Sequence, residues 1–184
     1  MIYPKEFTEM LLQDIPENII NSISKIKLMI FDVDGVFTDG SMLYTKHGEH
    51  VKKFNALDGK GVQLLINKGI EVAIISGREN DAVLYRMIEL GIKFIYQNVI
   101  AKLDTVISLS NILNISINNI GFMGDDIIDM DVMNKVSFSA SVPNAPKYVQ
   151  SIANWVSKSN GGNGAVRECC DLILAVKQNY LIHY

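Results

Sequence analysis

Short apolar segments, each cut off by a polar or acidic residue and separated from the next by a stretch of helical periodicity, dictate the architecture open to this chain. Lys27 to Phe31 (KLMIF) stops at Asp32, and Glu71 to Ile75 (EVAII) stops at Ser76 and Gly77. Both read as buried strands. Lys93 to Tyr96 (KFIY), Ile120 to Met123 (IGFM) and Val136 to Ala140 (VSFSA) are further strand candidates. Between them lie apolar sets at helical spacing: Val62, Leu65 and Ile66 before Gly69; Val83, Met87 and Leu90 before Gly91; Val106, Leu109 and Leu113 before Asn114. Each set ends in a residue that tolerates left-handed backbone, as helix C-termini commonly do. Strands alternating with helices predict an α/β fold with a parallel sheet. At 184 residues and 48% hydrophobic composition, the chain can bury one substantial core. We expect a helical N-terminal arm over 1–24 and a single domain over 25–184 that includes the C-terminal tail.

One segment breaks the alternation. Ser41 to Thr45 and Glu49 to Phe54 flank Lys46-His47-Gly48, which predicts a β-hairpin just after the first strand. His47 and His50 sit around its turn, and no Cys or His partner has ligand spacing, so both read as solvated. Ser157 to Gly164 (SKSNGGNG) is the most flexible-looking stretch, with a helix expected from Ala165 into Val176.

Composition removes several classes of function. Lys and Arg total 17 against 20 Asp and Glu, a formal charge of -3, and no long basic block is present to track a nucleic-acid backbone. Nucleic acid is therefore not an expected partner. No apolar run approaches membrane-spanning length, and the N-terminal stretch, broken by Glu and Asp, does not read as a secretory signal. Cys169 and Cys170 are sequence neighbours, with Cα atoms about 3.8 Å apart, closer than disulfide geometry prefers. They read as small packed residues on a helix, and a reducing, cytoplasmic setting is expected.

Chemistry concentrates where the strands stop. Asp32 and Asp34 stand at i and i+2, a spacing that in extended backbone turns both carboxylates to one side, and Gly35 lets the chain turn away. Carboxylates so placed repel unless a cation sits between them, and Mg²⁺ prefers such hard oxygen ligands. The plainer alternative is a pair of turn-forming Asx residues. A calcium-loop reading fails because the later ligand spacing is missing. Gly124-Asp125-Asp126, with Asp129, supplies a second acidic cluster after another strand, although a lone Asp there can simply cap a helix. Ser76 offers a hydroxyl and the amides after it to phosphate oxygens, or else caps a helix. Lys102, at a helix entrance, is either a site cation or a solvated surface charge.

The ordered set Asp32-Val33-Asp34-Gly35-Val36, Ser76-Gly77, Lys102 and Gly124-Asp125-Asp126 resembles the four motifs of the haloacid dehalogenase superfamily. More narrowly, DVDGVFTDG, FNALDGKG, ISGRE, GDDIID and GGNGAVRE resemble the phosphatases of 3-deoxy-D-manno-octulosonate 8-phosphate (KDO 8-phosphate), over about Leu28 to Leu174. The resemblance implies a Rossmann-like parallel sheet flanked by helices. It also implies a cytoplasmic, Mg²⁺-dependent phosphomonoester hydrolase that releases KDO and phosphate through an aspartyl phosphate, in lipopolysaccharide precursor synthesis. Asp32 would be the nucleophile and Asp34 the general acid and base. Mg²⁺ would be held by the Asp32 carboxylate, the Asp34 carbonyl and Asp125. Ser76 and Lys102 would take the remaining phosphate charge, with Asp126 and Asp129 orienting metal-bound water or holding Lys102.

Neither the interval from Asp32 to Ser76 nor that from Lys102 to Asp125 has room for a large inserted cap, so the expected site is open. Capless members of this family assemble as tetramers, and a homotetramer is the implied assembly. For the small sugar acid phosphate, the expected contacts are Asn55, Asp58, Gly77, Arg78 and Arg167. Arg78 offers a guanidinium fork to a substrate carboxylate, whereas Arg167 either binds an anion or caps a packed helix. A phosphatase of a nine-carbon sugar acid 9-phosphate is the nearest alternative. A phosphoacceptor receiver domain is a remote one, because its acidic pair would be adjacent after the first strand, where this chain has DVD.

Overall fold

The computed structural model describes residues 4–182, with the side chains of residues 49, 50 and 179–182 outside the description. His50 therefore lies outside the described side chains, and His47 is exposed. In chain order the elements are α1 (Lys5–Leu12), α2 (Glu17–Ser24), β1 (Leu28–Phe31), β2 (Leu43–Thr45), β3 (Gly48–Val51), α3 (Ala56–Asn67), β4 (Glu71–Ile75), α4 (Asp81–Glu89), β5 (Phe94–Tyr96), α5 (Lys102–Leu113), β6 (Ile120–Met123), α6 (Met130–Met133), β7 (Phe138–Ser141), α7 (Lys147–Gln150), β8 (Trp155–Val156) and α8 (Ala165–Ile182).

The main sheet has 6 strands in the order β5-β4-β1-β6-β7-β8, and every pairing is parallel. β1 and β6 are buried along their whole length, as continuous apolar strands covered by helices must be. β4 and β6 carry the limits expected from sequence. β8, a two-residue strand, was not anticipated, because so short a run carries no periodic signal. The helix ends follow the expected pattern, with Gly69, Gly91 and Asn114 all in left-handed backbone.

The expected hairpin is present as β2 and β3, a separate two-stranded antiparallel sheet with exposed β2 residues. The N-terminal stretch forms α1 and α2, both packed on α8. Ile19 and Ile23 of α2 are buried among core residues that include Cys169, Cys170 and Ile173 of α8. Lys177 of α8 donates to the Ser24 carbonyl at 2.6 Å, satisfying a carbonyl at the end of α2.

Because Ile23 is 0% exposed, its truncation leaves a cavity where α2 joins the core. Ile23→Ala is expected to lower the unfolding free energy by about 2–5 kcal/mol in a single cooperative transition. Denaturant unfolding checks this, and a neutral result would show that α2 contributes nothing to the cooperative unit.

Candidate active site

The parallel register brings three strand ends together. Phe31 pairs with Ile74 on one side and Met123 on the other, so Asp32, Ser76 and Gly124-Asp125 emerge side by side from β1, β4 and β6. The Asp32 N–H still continues the ladder, donating to the Met123 carbonyl at 2.9 Å, and Ser76 N–H donates to Tyr96 at 2.9 Å. Past Asp32 the chain is not extended. It turns at once, with the Val33 carbonyl accepting from the N–H groups of Val36, Phe37 and Thr38. Asp32 and Asp34 thus reach one cleft through a turn and not through strand alternation.

That cleft, about 260 Å³, is lined by Asp32, Asp34, Gly35, Gly40, Met42, Ser76, Gly77, Arg78, Asp125, Asp126 and Ile128. Gly35 has φ +83, and a Cβ there would fall 1.9 Å from Asp125 Oδ2, so the β1 loop can pass beneath this carboxylate only as glycine.

Below the cleft lies a buried ionic chain. Lys102 Nζ is 3.0 Å from Asp32 Oδ2 and 2.6 Å from Asp129 Oδ1, with its side chain fully buried. Asp129 Oδ2 accepts from the backbone N–H groups of Asp125 at 3.0 Å and Asp126 at 3.2 Å. Lys102 is therefore part of the floor and touches the cleft only through Asp32.

Oxygens of Asp32, Asp125 and Asp129 lie within 4.8 Å of one another. Both Asp129 oxygens already hold donors, which leaves Asp32 and Asp125 as the side chains able to grip a cation. A single ammonium does not offset these carboxylates. Burial, followed by the charge of Asp129, lifts Asp32 to about 7 despite Lys102. Burial, followed by the charges of Asp32, Asp129 and Asp126, lifts Asp125 to about 8. For Lys102, burial favours the neutral form, but Asp32 and Asp129 outweigh it and hold the ammonium charged. A buried, under-compensated cluster of hard oxygens fits a small divalent cation.

Arg78 lines the cleft, donating from Nη2 to the Tyr44 hydroxyl at 2.9 Å, with Nε 3.8 Å from Asp34 Oδ2. Three expected contacts do not reach the cleft. Asn55 caps α3, accepting from Leu57 N–H at 2.8 Å. Asp58 is fully buried and accepts from Gly164 N–H at 3.3 Å and Arg167 N–H at 2.8 Å, so it caps α8 from α3. Arg167 pairs with Asp171 at 2.7 Å, which supports its packed-helix reading over its anion-binding one.

The Gly-rich stretch is also a correction. It was expected to be loose, yet Gly162 N–H donates to Val36 at 2.9 Å, and Gly161 N–H donates to Asn144 Oδ1 at 2.9 Å. Asn144 in turn reaches the Gly35 carbonyl at 3.5 Å. A Cβ on Gly161 would sit 1.7 Å from that same carbonyl oxygen, so the stretch is glycine because it packs backbone against backbone. Besides Asn144, sequence reasoning missed Tyr44 and Lys52, whose ammonium contacts Asp34 Oδ1.

Residues 92–168 match the family model described as haloacid dehalogenase-like hydrolase. The 3-deoxy-D-manno-octulosonate 8-phosphate phosphatase of Escherichia coli (strain K12) is 41% identical over 157 residues, spanning 85% of this chain and 84% of that protein. This chain belongs to the 3-deoxy-D-manno-octulosonate 8-phosphate phosphatase family. Its fold agrees with that of the Moraxella catarrhalis phosphatase, whose crystal structure holds magnesium, phosphate and KDO. The TM-score is 0.85 at 37% identity, over 90% of this chain and 95% of that one. The cobalt-bound Haemophilus influenzae phosphatase gives a TM-score of 0.83 at 34% identity, over 85% of this chain and 92% of that one.

The raised carboxyls make stability depend on pH in a defined direction. Asp32 and Asp125 bind protons in the folded chain up to about 7 and 8, but in the unfolded chain only up to about 3.8. Across that window the folded state holds more protons, so the metal-free protein is expected to lose stability as pH rises. Asp58, raised by burial, adds to the same slope. Thermal unfolding in chelator from pH 5 to 8 checks the sign, and added Mg²⁺ should stabilise more at pH 8 than at pH 5, since binding displaces those protons.

Proposed function

We propose that this chain hydrolyses 3-deoxy-D-manno-octulosonate 8-phosphate to KDO and inorganic phosphate, as a step of lipopolysaccharide precursor synthesis. The observation that carries the reading is the convergence of Asp32, Ser76 and Asp125 at three adjacent strand ends over the Lys102–Asp129 floor. Family membership supports the choice of substrate. So does the magnesium, phosphate and KDO complex of the Moraxella catarrhalis relative.

Asp32, fixed by Lys102 from below, attacks phosphorus; the bond to the sugar oxygen breaks and the leaving alkoxide takes a proton from Asp34. In the second step Asp34 accepts a proton from water as that water attacks the aspartyl phosphate, releasing inorganic phosphate and free Asp32. The Ser76 hydroxyl and the amide at Gly77 would face phosphate oxygens, and Lys102, 3.0 Å from Asp32 Oδ2, opposes the rise that burial and Asp129 impose on that carboxyl. Asp32 and Asp125, with the Asp34 carbonyl, would hold magnesium, with Asp126 beside it at the cleft. Bound there, the ion supplies charge neutralisation for the phosphoryl group.

Among the described residues that line the cleft, Arg78 is the cation placed to engage the substrate carboxylate. Turnover is expected to require Mg²⁺, to vanish in Asp32→Asn, and to favour the eight-carbon over a nine-carbon acid phosphate. Arg78→Ala should lower kcat/KM for the eight-carbon compound by ~10-fold or more. The same change should cost a generic aryl phosphate much less. Steady-state phosphate release on both acids checks this, and a preference for the nine-carbon acid would overturn the substrate assignment.

A homotetramer is the assembly we propose. Its support is the apolar surface left open on the hairpin and α4, where Leu43 is 55%, Val51 52% and Tyr85 72% exposed. Exposed apolar side chains of this kind suit a subunit interface. Light scattering is expected to give four chains, and a fully active monomer at assay concentration would contradict it. We place the enzyme in the cytoplasm, in keeping with two buried free cysteines; cell fractionation tests it. Among the described residues no helix is long and apolar enough to cross a membrane.

A further inference from the structure

Lysine side chains almost always keep the ammonium in water, and a buried one has a partner. Lys52, just past β3, has a side chain only 1% exposed, and its Nζ contacts Asp34 Oδ1. Its neighbour Lys53 shows the ordinary case, 71% exposed with Nζ 3.8 Å from Asp39 Oδ2, a pair that contributes little. Among the partners of the buried Lys52 ammonium is the carboxylate of Asp34, a residue that lines the cleft.

The geometry points to Lys52 as a positioning residue for the proton transfers made by Asp34, an inference that rests on the phosphatase reading above. Asp34 sits in a turn, before Gly35, where nothing in the strand ladder fixes its carboxylate. Lys52 contacts one oxygen, Oδ1, and is not among the residues lining the cleft, while the other oxygen has Arg78 Nε at 3.8 Å. Anchoring Oδ1 sets the rotation of the carboxylate and leaves Oδ2 presented to the leaving group. A general acid works only within hydrogen-bond reach of the oxygen it protonates, and a small misplacement forfeits much of its effect. The segment that leaves the hairpin at β3 therefore reaches Asp34 through this ammonium.

The test separates proton transfer from folding and from phosphate binding. An alkoxide leaving group needs the proton of Asp34, whereas 2,4-dinitrophenolate leaves without it. Wild type, Lys52→Met and Lys52→Arg are compared on the eight-carbon acid phosphate, on ribose 5-phosphate and on 2,4-dinitrophenyl phosphate. In Lys52→Met, kcat/KM should fall by roughly 10- to 100-fold on both alkyl phosphates and by less than about 3-fold on the aryl ester. Lys52→Arg, which keeps the charge, should recover most of the loss. Because the comparison is a ratio within each variant, a reduced folded fraction cancels. If Lys52→Met does not accumulate, the ratio in Lys52→Arg must still shift in the same direction.

Equal losses on all three substrates, or a loss confined to KM, would overturn the inference and leave Lys52 as a structural pin for the hairpin. A wild type active on ribose 5-phosphate but inert toward the eight-carbon acid would overturn only the substrate assignment, since the leaving-group comparison survives on the simpler ester.

Discussion

The ionic chain Asp32–Lys102–Asp129 is the constraint around which the site is arranged. Burying charge is costly unless each group is paired and its remaining hydrogen-bonding capacity is filled, and removing one member of such a set typically costs about 3–5 kcal/mol. Here Lys102 bridges two carboxylates, at 3.0 and 2.6 Å, and Asp129 fills its second oxygen with two backbone N–H groups. The start of α5, the end of β1 and the loop after β6 are therefore tied to one ammonium. That tie fixes where the loop carrying Asp125 lies, and Asp125 in turn lies over Gly35 at a distance that admits no side chain. A position chosen for charge in the floor becomes a backbone requirement in the wall.

The parts of this arrangement that follow from local physics were legible in the sequence. Glu71–Ile75 and Ile120–Met123 appear as strands within the expected limits because a strand covered on both faces has no polar alternation to blur it. The strand ends before Asp32, Ser76 and Asp125 were enough to place these residues at one sheet edge, whereas Lys102, at a helix entrance, joined them only through the family resemblance. What could not be read is what tertiary contact alone creates. Asp58 looks like a helix residue near a functional motif, yet its partners, Gly164 and Arg167, are 106 and 109 residues away in sequence. Lys52 and Lys53 are adjacent and chemically identical, and only the fold decides that one is buried and the other solvated. Gly161 and Gly162 carry the composition of a flexible linker, but they are glycines because another backbone passes against them.

Two distant segments brace the same turn. The loop from Asp32 to Gly40 carries the proposed nucleophile, the proposed acid and part of the proposed cation site, and it makes few ladder bonds of its own. From one side Gly161, Gly162 and Asn144 close on Gly35 and Val36. From the other, Lys52 reaches Asp34 and Lys53 approaches Asp39. Thr38 adds an internal strut, its hydroxyl accepting from the N–H groups of Gly35 at 3.3 Å and Gly40 at 3.2 Å. Catalytic groups on a turn hold their geometry only when surrounding packing over-determines it.

Floor and wall differ in kind, and this bears on how such a site can choose a substrate. The floor beneath the cleft is buried and committed: β1 and β6 are buried along their length, Lys102 is paired with Asp32 and Asp129, both Asp129 oxygens hold donors, and a change there disturbs charge balance and fold together. The wall is built from Met42 and Ile128, both exposed, and from Arg78, which donates to the Tyr44 hydroxyl on the hairpin and lies 3.8 Å from Asp34 Oδ2. Substitutions in the wall alter which anion or hydroxyl is met without touching the ionic chain below. On the proposed function, a capless chain would separate the two tasks by depth: phosphoryl chemistry in the buried layer, and discrimination among sugar acids at the hairpin and the Arg78 loop.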